Sequence, residues 1–293
     1  MWPKVPDQHK PGNPLVPWGI GVVYVLFATV YLFLIYFANL SSPSIFPTAV
    51  SAPLTLAVCI LFGGFMGMLD DWIDLKWRYK AFMPLIAALP LMYFVLANQA
   101  TMRTSITLPF LGSVQFGEAY IYIIIPIIVM VITNTINMLG GLNGLETICP
   151  AIILFGLIAL SSPDFQFLMI GPLIVWLILA FFNFQGKLFV GNTGSFAIGL
   201  TIASFAVITD LKSSLIVSIL PYVFNSVLIL LTVFFVRKKA SVKFDGKRLV
   251  SEHKRSLVTL ITYKRPLTEK QVVAIISLIV AVFTVLAVIG VIF

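Results

Sequence analysis

Charged residues are scarce in this chain. Only 10% of its 293 residues are Asp, Glu, Lys or Arg, whereas 60% are hydrophobic and the mean hydropathy is +1.05. This composition lies well outside that of soluble domains and indicates a polytopic membrane bundle. Cysteine is also rare: Cys59 and Cys149 lie in or beside different apolar segments, and we interpret both as packing residues.

Nine apolar stretches are long enough to be membrane spans, given that a helix needs roughly 17–25 apolar residues to cross a bilayer. The sequence therefore predicts an all-α polytopic membrane protein of about nine transmembrane helices, with residues 1–293 forming one integral-membrane domain. The predicted spans cover 17–38, 46–69, 81–98, 119–138, 146–161, 166–184, 194–209, 213–236 and 270–293.

The basic residues predict the orientation, because Lys and Arg accumulate on the cytoplasmic side of membrane proteins. With the N-terminus in the cytoplasm and the C-terminus outside, 17 of the 19 basic residues lie inside, and only Arg103 and Lys212 lie outside. The net charge of +8 is thus a topology signal and does not indicate nucleic-acid binding.

Polar chemistry is absent from the outer loops, of which the longest, 99–118, is expected to form a small hairpin. It collects instead in four inner segments.

The first inner segment is Asp70-Asp71-Trp72-Ile73-Asp74, followed by Lys80. Its aromatic and basic residues fit an interfacial belt, but two adjacent acids entering the membrane indicate a functional pair. A divalent cation is the simplest way to keep such acids ionised.

The second and third segments combine amides with glycines. Asn134 and Asn137 share a helix face and precede a glycine-rich loop with Asn143, Gly144 and Glu146, which favours a ligand loop over polar helix–helix contacts. The third segment, 183–195, begins at Asn183 and leads through a glycine-rich turn into a helix. Free backbone N–H groups there suit phosphate, although such turns are also common without a ligand.

The fourth segment is the long basic loop 237–269, with ten basic residues against three acids. Such loops commonly serve topology or attract anionic lipids. His253 is one of only two histidines, and Lys254 and Arg255 beside it could bind a diphosphate.

In order, these segments resemble the motifs of the polyprenyl-phosphate N-acetylhexosamine-1-phosphate transferase superfamily, glycosyltransferase family 4. Asp70-Asp71, 137–146, 188–195 and 253–255 carry the resemblance, and the first two are most similar to the archaeal and eukaryotic dolichyl-phosphate branch. The chain is expected to depart from the family in lacking the first of ten usual spans. Its third motif has Asn192 where Asp is usual, and its histidine motif keeps a single His.

The resemblance implies that a polyprenyl or dolichyl phosphate attacks the β-phosphorus of a UDP-sugar, most simply UDP-GlcNAc, and releases UMP. The reaction would open lipid-linked N-glycan assembly of the archaeal type at the cytoplasmic face of the plasma membrane. Mg²⁺, with Mn²⁺ as an alternative, would be held by Asn137 and Asn192. A homodimer is a further expectation from the family.

The resemblance also assigns residue roles. Asp70 and Asp71 would act beside the lipid phosphate as the catalytic pair, Asn143 would bind the uracil edge and Phe189 its face. The phosphates would be bound by Lys10, His253 and Arg255. The remaining predicted substrate-binding residues are Asp74, Lys80, Asn134, Gly144, Glu146 and Asn183.

Four alternatives stay open at this stage. The enzyme could be of the bacterial type, using undecaprenyl phosphate for cell-wall polysaccharide, or a catalytically impaired homologue, given Asn192. A transporter would place ionisable residues near mid-span, and here they lie at the inner ends. An intramembrane aromatic prenyltransferase needs two Asp-rich motifs, and only one is found.

Overall fold

All nine predicted apolar segments fold as helices in the computed structural model, which describes residues 2–41, 50–108, 112–237 and 241–292. Residues 46–49 of the second predicted span and Phe293 of the ninth lie outside the described part. The helices are α1 (Gly21–Ser41), α2 (Ala52–Ile73), α3 (Trp77–Ala87), α4 (Leu89–Ala97), α5 (Ile125–Leu139), α6 (Leu145–Leu160), α7 (Pro163–Phe184), α8 (Gly191–Ile208), α9 (Lys212–Ser218), α10 (Leu220–Leu231), α11 (Leu257–Ile261) and α12 (Glu269–Ile292). The π-helical turns Tyr120–Ile124 and Thr232–Val236 precede α5 and follow α10.

These helices confirm an all-α polytopic membrane protein. Within the described residues, seven helical segments are long and apolar enough to cross a membrane, α6 is a shorter apolar helix, and α9 with α10 forms a pair bent by 54°. Two predicted spans are broken just before a proline, at Ala88 before Pro90 and at Ile219 before Pro221. Proline lacks the backbone N–H that an unbroken helix needs, which explains both breaks.

Helix α8 lies at the centre of the bundle and is buried along nearly its whole length. It packs against α1, α2 and α5. The approach of α2 is close because Gly67 has no side chain: a Cβ there would collide with the carbonyl oxygen of Asn192. Packing thereby brings the end of α2 against the start of α8, which are far apart in sequence.

Three short antiparallel hairpins complete the fold: β1 (Lys4–Pro6) with β2 (Leu15–Pro17), β3 (Ser105–Leu108) with β4 (Gly112–Gln115), and β5 (Lys243–Phe244) with β6 (Leu249–Val250). The second confirms the hairpin predicted in 99–118. The first was not predicted, and it lies at the end of the bundle where α2, α5 and α7 finish and α6, α8 and α12 begin. We call this end the motif end, because all four polar segments reach it.

Candidate active site

Asp71 joins the aspartate segment to the glycine-rich turn of the third segment. Its Oδ1 accepts hydrogen bonds from the backbone N–H of Asn192 at 2.9 Å and from Nε1 of Trp18 at 3.0 Å. Its Oδ2 accepts from the backbone N–H of Thr193 at 2.9 Å and from the Thr193 hydroxyl at 2.6 Å. Asp71 therefore satisfies free N–H groups at the positive end of α8, as a capping carboxylate does.

Asp70 has a different environment from its neighbour. It is buried, and its Oδ1 pairs with Nζ of Lys80 at 2.8 Å and accepts from the backbone N–H of Leu75 at 3.0 Å. Its Oδ2 is buried and has no hydrogen-bond partner within the described residues. Lys80 also pairs with the exposed carboxylate of Asp74 at 3.2 Å. One lysine thus bridges the two acids at the end of α2.

Asn143 lies in a buried network that sequence reasoning did not find. Its Nδ2 donates to Asp7 Oδ2 at 2.8 Å and to Glu269 Oε1 at 3.0 Å, and its backbone N–H donates to Glu269 Oε1 at 2.7 Å. The two carboxylates fix the amide, since an NH₂ group must face them. Its Oδ1 is left as a buried acceptor without a partner in the described part of the chain.

Asn183 supports the glycine-rich loop from behind. Its Oδ1 accepts from the backbone N–H of Gly144 at 2.8 Å and from the Thr147 hydroxyl at 3.0 Å, while its Nδ2 donates to the Leu188 carbonyl at 2.9 Å. Because this side chain is fully buried, its influence on a ligand would act through the backbone of Gly144.

Lys10 places the first hairpin against the same region. Its Nζ donates to the Gln185 carbonyl at 3.2 Å and lies 3.5 Å from Asp7 Oδ2. Gly186 has φ +67°, and a Cβ there would collide with this ammonium group. The turn after α7 therefore depends on glycine both for its backbone conformation and for the space that Lys10 needs.

A cavity of about 240 Å³ opens at the motif end between the first hairpin and the starts of α6 and α8. Asn137, Glu146, Phe189 and Asn192, four residues predicted for the site, line it together. Phe189 also packs against the Trp18 ring, with ring centroids 5.9 Å apart. The other lining residues are Val5, Pro6, Asp7, Gln8, His9, Trp18, Gly140 and Gly141.

An apolar groove of about 500 Å³ runs along α3, α5 and α10. Its polar lining includes Lys80, Asn134, Asn137 and Ser226, and the rest is almost entirely hydrophobic. The Asn134 amide donates to the Ala81 carbonyl at 3.1 Å, which ties α5 to α3. Asn137 lines both the groove and the cavity, so the two spaces meet at this residue.

The basic loop is anchored beside the motif end rather than in the cavity lining. Asn225 on α10 accepts from the backbone N–H of Leu257 at 2.8 Å and donates to the Met138 carbonyl at 3.3 Å. The pKa of His253 is lowered below its ordinary value of 6.5, chiefly by burial and secondly by the positive charge of Arg255. The neutral form of His253 is therefore favoured more than in a free histidine side chain.

Most of the predicted residues thus fall into three groups: the carboxylates and Lys80, the cavity-lining residues, and the support formed by Asn143, Gly144 and Asn183. Outside these groups, Asn134 lines the apolar groove, Lys10 contacts the turn after α7, and His253 and Arg255 lie on the basic loop. Sequence reasoning missed Asp7, Trp18 and Glu269. The signals in the sequence were weak: Asp7 lies three residues before Lys10, and Glu269 is a single acid at the start of the last span.

The sequence was compared with known proteins. The family model described as glycosyl transferase family 4 matches residues 53–210. A Dictyostelium discoideum protein named UDP-N-acetylglucosamine–dolichyl-phosphate N-acetylglucosaminephosphotransferase is 27% identical over 75% of this chain and 62% of its own length. A Saccharolobus solfataricus protein, to which the same name is given provisionally, is 30% identical over 97% of this chain and 86% of its own length. A phospho-N-acetylmuramoyl-pentapeptide-transferase of Oceanobacillus iheyensis is 29% identical over 83% of this chain and 73% of its own length.

Proposed function

Because the chain belongs to glycosyl transferase family 4, we propose that it transfers N-acetylglucosamine 1-phosphate from UDP-N-acetylglucosamine to dolichyl phosphate and releases UMP. The observation that carries the proposal is the meeting of two unlike spaces at Asn137. A polar cavity suits a nucleotide sugar, and an apolar groove along the helices suits an isoprenoid tail. Their junction is where the two phosphate groups would react.

The acceptor lipid would lie in the groove with its phosphate beside Lys80. This ammonium group is already held by Asp70 at 2.8 Å and by Asp74 at 3.2 Å, so it is fixed at the head of the groove. An oxygen of the lipid phosphate then attacks the β-phosphorus of the donor, and the bond from that phosphorus to the oxygen of UMP breaks. Fixed positive charge aids such a transfer, whose main demand is alignment and charge neutralisation.

The donor would lie in the cavity. Phe189, held by Trp18, provides a ring face for the uracil. Asn143 lies behind the cavity lining, and the carboxylates of Asp7 and Glu269 hold its amide with the oxygen as an unpartnered acceptor. That oxygen is the partner proposed for the N3–H of uracil in the bound state. Lys10, His253 and Arg255 are the cationic side chains proposed for the diphosphate.

The residues around the cavity fit a divalent cation, because Asn137, Asn192 and Glu146 offer oxygen donors of the kind that Mg²⁺ prefers. A bound Mg²⁺ would neutralise charge on the donor diphosphate. Asp71 positions this donor set, since it holds the backbone of Asn192 at 2.9 Å.

We propose that the protein lies in the plasma membrane and that its motif end faces the cytoplasm. The other end carries Arg103 and Lys212, and both pair with Asp210, so part of their charge is offset locally. Nucleotide sugars are cytosolic, which requires the cavity to open on that side. Thiol labelling of Lys247→Cys at the motif end and Glu118→Cys at the other, in sealed vesicles of known orientation, tests this placement.

UMP release by the purified protein with Mg²⁺ tests the reaction. We expect release only when UDP-N-acetylglucosamine and dolichyl phosphate are both present. Faster release with UDP-N-acetylmuramoyl-pentapeptide and undecaprenyl phosphate would move the assignment to the bacterial type. If the folded protein released no UMP with any of these donors and acceptors, the proposal would be contradicted.

A further inference from the structure

Glu146 is a half-buried carboxylate in the first turn of α6 and lines the donor cavity. In the described part of the chain it makes no hydrogen bond and no ion pair. An acid in such a place at the end of a membrane span is costly, since it loses water without gaining a partner. Carboxylate oxygens that line a cavity without a protein partner are a reason to look for a cation that binds there.

The other carboxylates near Glu146 are already engaged. Both oxygens of Asp71 accept hydrogen bonds from Trp18 and the start of α8. Asp7, which also lines the cavity, accepts from Asn143 and from the backbone N–H of His9. Asp70 pairs with Lys80. Of the two acids that line the cavity in the described part of the chain, Glu146 is therefore the one whose carboxylate oxygens have no partner.

The amides beside Glu146 can complete a set of oxygen donors. Asn137 and Asn192 line the same cavity, and Ser195 contacts Asn137 Oδ1 at 3.0 Å and the Gly191 carbonyl at 3.3 Å. A hydroxyl has one proton to donate. When Ser195 donates it to Gly191, the Asn137 amide can turn over, donate its N–H to the hydroxyl and present its oxygen to the cavity.

Two neutral amides alone bind a hard divalent cation weakly, because such cations favour carboxylate oxygens. We infer that Glu146 is the carboxylate ligand of the divalent cation, acting with Asn137 and Asn192. The inference rests on the proposed function and deepens it. It explains how position 192 can be Asn: the negative charge of the metal site is supplied from the start of α6 instead.

Mn²⁺ binding tests this inference without any substrate. The purified protein is titrated with Mn²⁺, and the free aqueous ion is followed by electron paramagnetic resonance. We expect Glu146→Gln to weaken Mn²⁺ binding at least about tenfold, since loss of even an outer partner of a metal ligand commonly costs roughly 10- to 100-fold in affinity. The matched control is Glu252→Gln, which removes an exposed acid on the basic loop and leaves Mn²⁺ binding unchanged.

The double variant Glu146→Gln/Asn192→Asp separates a lost ligand from a damaged fold. It returns one carboxylate to the same cavity, and we expect it to recover most of the Mn²⁺ affinity. Wild-type affinity in Glu146→Gln, or no recovery in a double variant that unfolds at the wild-type temperature, would overturn the inference. Because the assay omits donor and lipid, failure of the transferase proposal would appear separately, as Mn²⁺ binding without UMP release.

Discussion

The carboxylate of Asp71 and the backbone of Asn192 are joined by a hydrogen bond of 2.9 Å. This contact links the end of α2 to the start of α8 across 121 residues of sequence. The two polar segments that appeared separate in the sequence are therefore in direct contact in the fold. Asp71 organises the site by holding the peptide that carries Asn192, whatever further contact it makes with substrate.

Asp71→Asn is expected to abolish UMP release while the protein stays folded. The new amide keeps one oxygen but turns an NH₂ group toward N–H donors, so the start of α8 loses at least one partner. We expect a loss of about 1–3 kcal/mol in the free energy of unfolding, the usual cost of leaving a buried polar group unpaired. UMP release and thermal unfolding measure both effects. Asp164→Asn, at the other end of the bundle, is the control, and near-wild-type turnover in Asp71→Asn would contradict the role.

The pair of Asp70 and Lys80 gives a test by double substitution. Lys80→Met leaves the buried Asp70 charge unpaired, which typically costs about 3–5 kcal/mol. Adding Asp70→Asn removes that charge, so the double variant should regain stability but not UMP release, because the proposed phosphate contact and one carboxylate of the proposed catalytic pair are both missing. Thermal unfolding and UMP release of the two single variants and the double variant decide the matter. Recovery of activity in the double variant would show that Lys80 serves only the fold.

Filling the apolar groove should affect the lipid and not the nucleotide. Val223→Trp places a large ring in the groove, and we expect a higher KM for dolichyl phosphate with an unchanged KM for UDP-N-acetylglucosamine. A short-chain polyprenyl phosphate should be less affected. Val285→Trp is the matched control, because it fills a second apolar groove of about 510 Å³ between α6, α7 and α12. Equal effects of the two variants would argue against a specific lipid path.

The orientation of the Asn143 amide should depend on Glu269 and Asp7. Glu269→Gln and Asp7→Asn each replace an obligate acceptor by a group that can also donate, so the amide is free to turn. We expect weaker UDP binding and a smaller preference for UDP over CDP, measured by calorimetry. A loss of UDP affinity with an unchanged ratio of UDP to CDP affinity would contradict this role. It would indicate that the two acids stabilise the loop without fixing the orientation of the Asn143 amide.

His253 should take up a proton when a diphosphate binds. Its pKa is lowered by burial and by Arg255, and a nearby anion favours the charged form. UDP binding near pH 6.5 should therefore show a heat that depends on the ionisation enthalpy of the buffer, and His253→Gln should remove this dependence. Because the pKa of His253 is lower in the folded protein than in the unfolded chain, the unfolded chain binds the proton more readily. Protonation of His253 therefore decreases the free energy of unfolding as the pH falls below 6.5. An unchanged buffer dependence in His253→Gln would exclude it as the titrating group.

Most of the architecture could be predicted because it depends on local properties. Hydropathy located the nine apolar segments, and the parity of the nine predicted spans placed the four polar segments at one end, where they lie in the structure. The hairpin in 99–118 was also predicted. The breaks at Ala88 and Ile219 were not, although both precede prolines, because an apolar run has the same hydropathy whether it is straight or bent.

The sequence by itself determined most of the candidate site residues, since acids are rare in so apolar a chain and those of the predicted site share a few segments with amides and glycines. Only the tertiary structure decided which of these residues contact one another. Asp7 and Glu269 reach Asn143 across 136 and 126 residues, and Asp71 holds α8 rather than standing free. Such contacts depend on how each helix is rotated and how closely its glycines let it approach its neighbours. That information belongs to the packing of the whole bundle and is absent from any single segment.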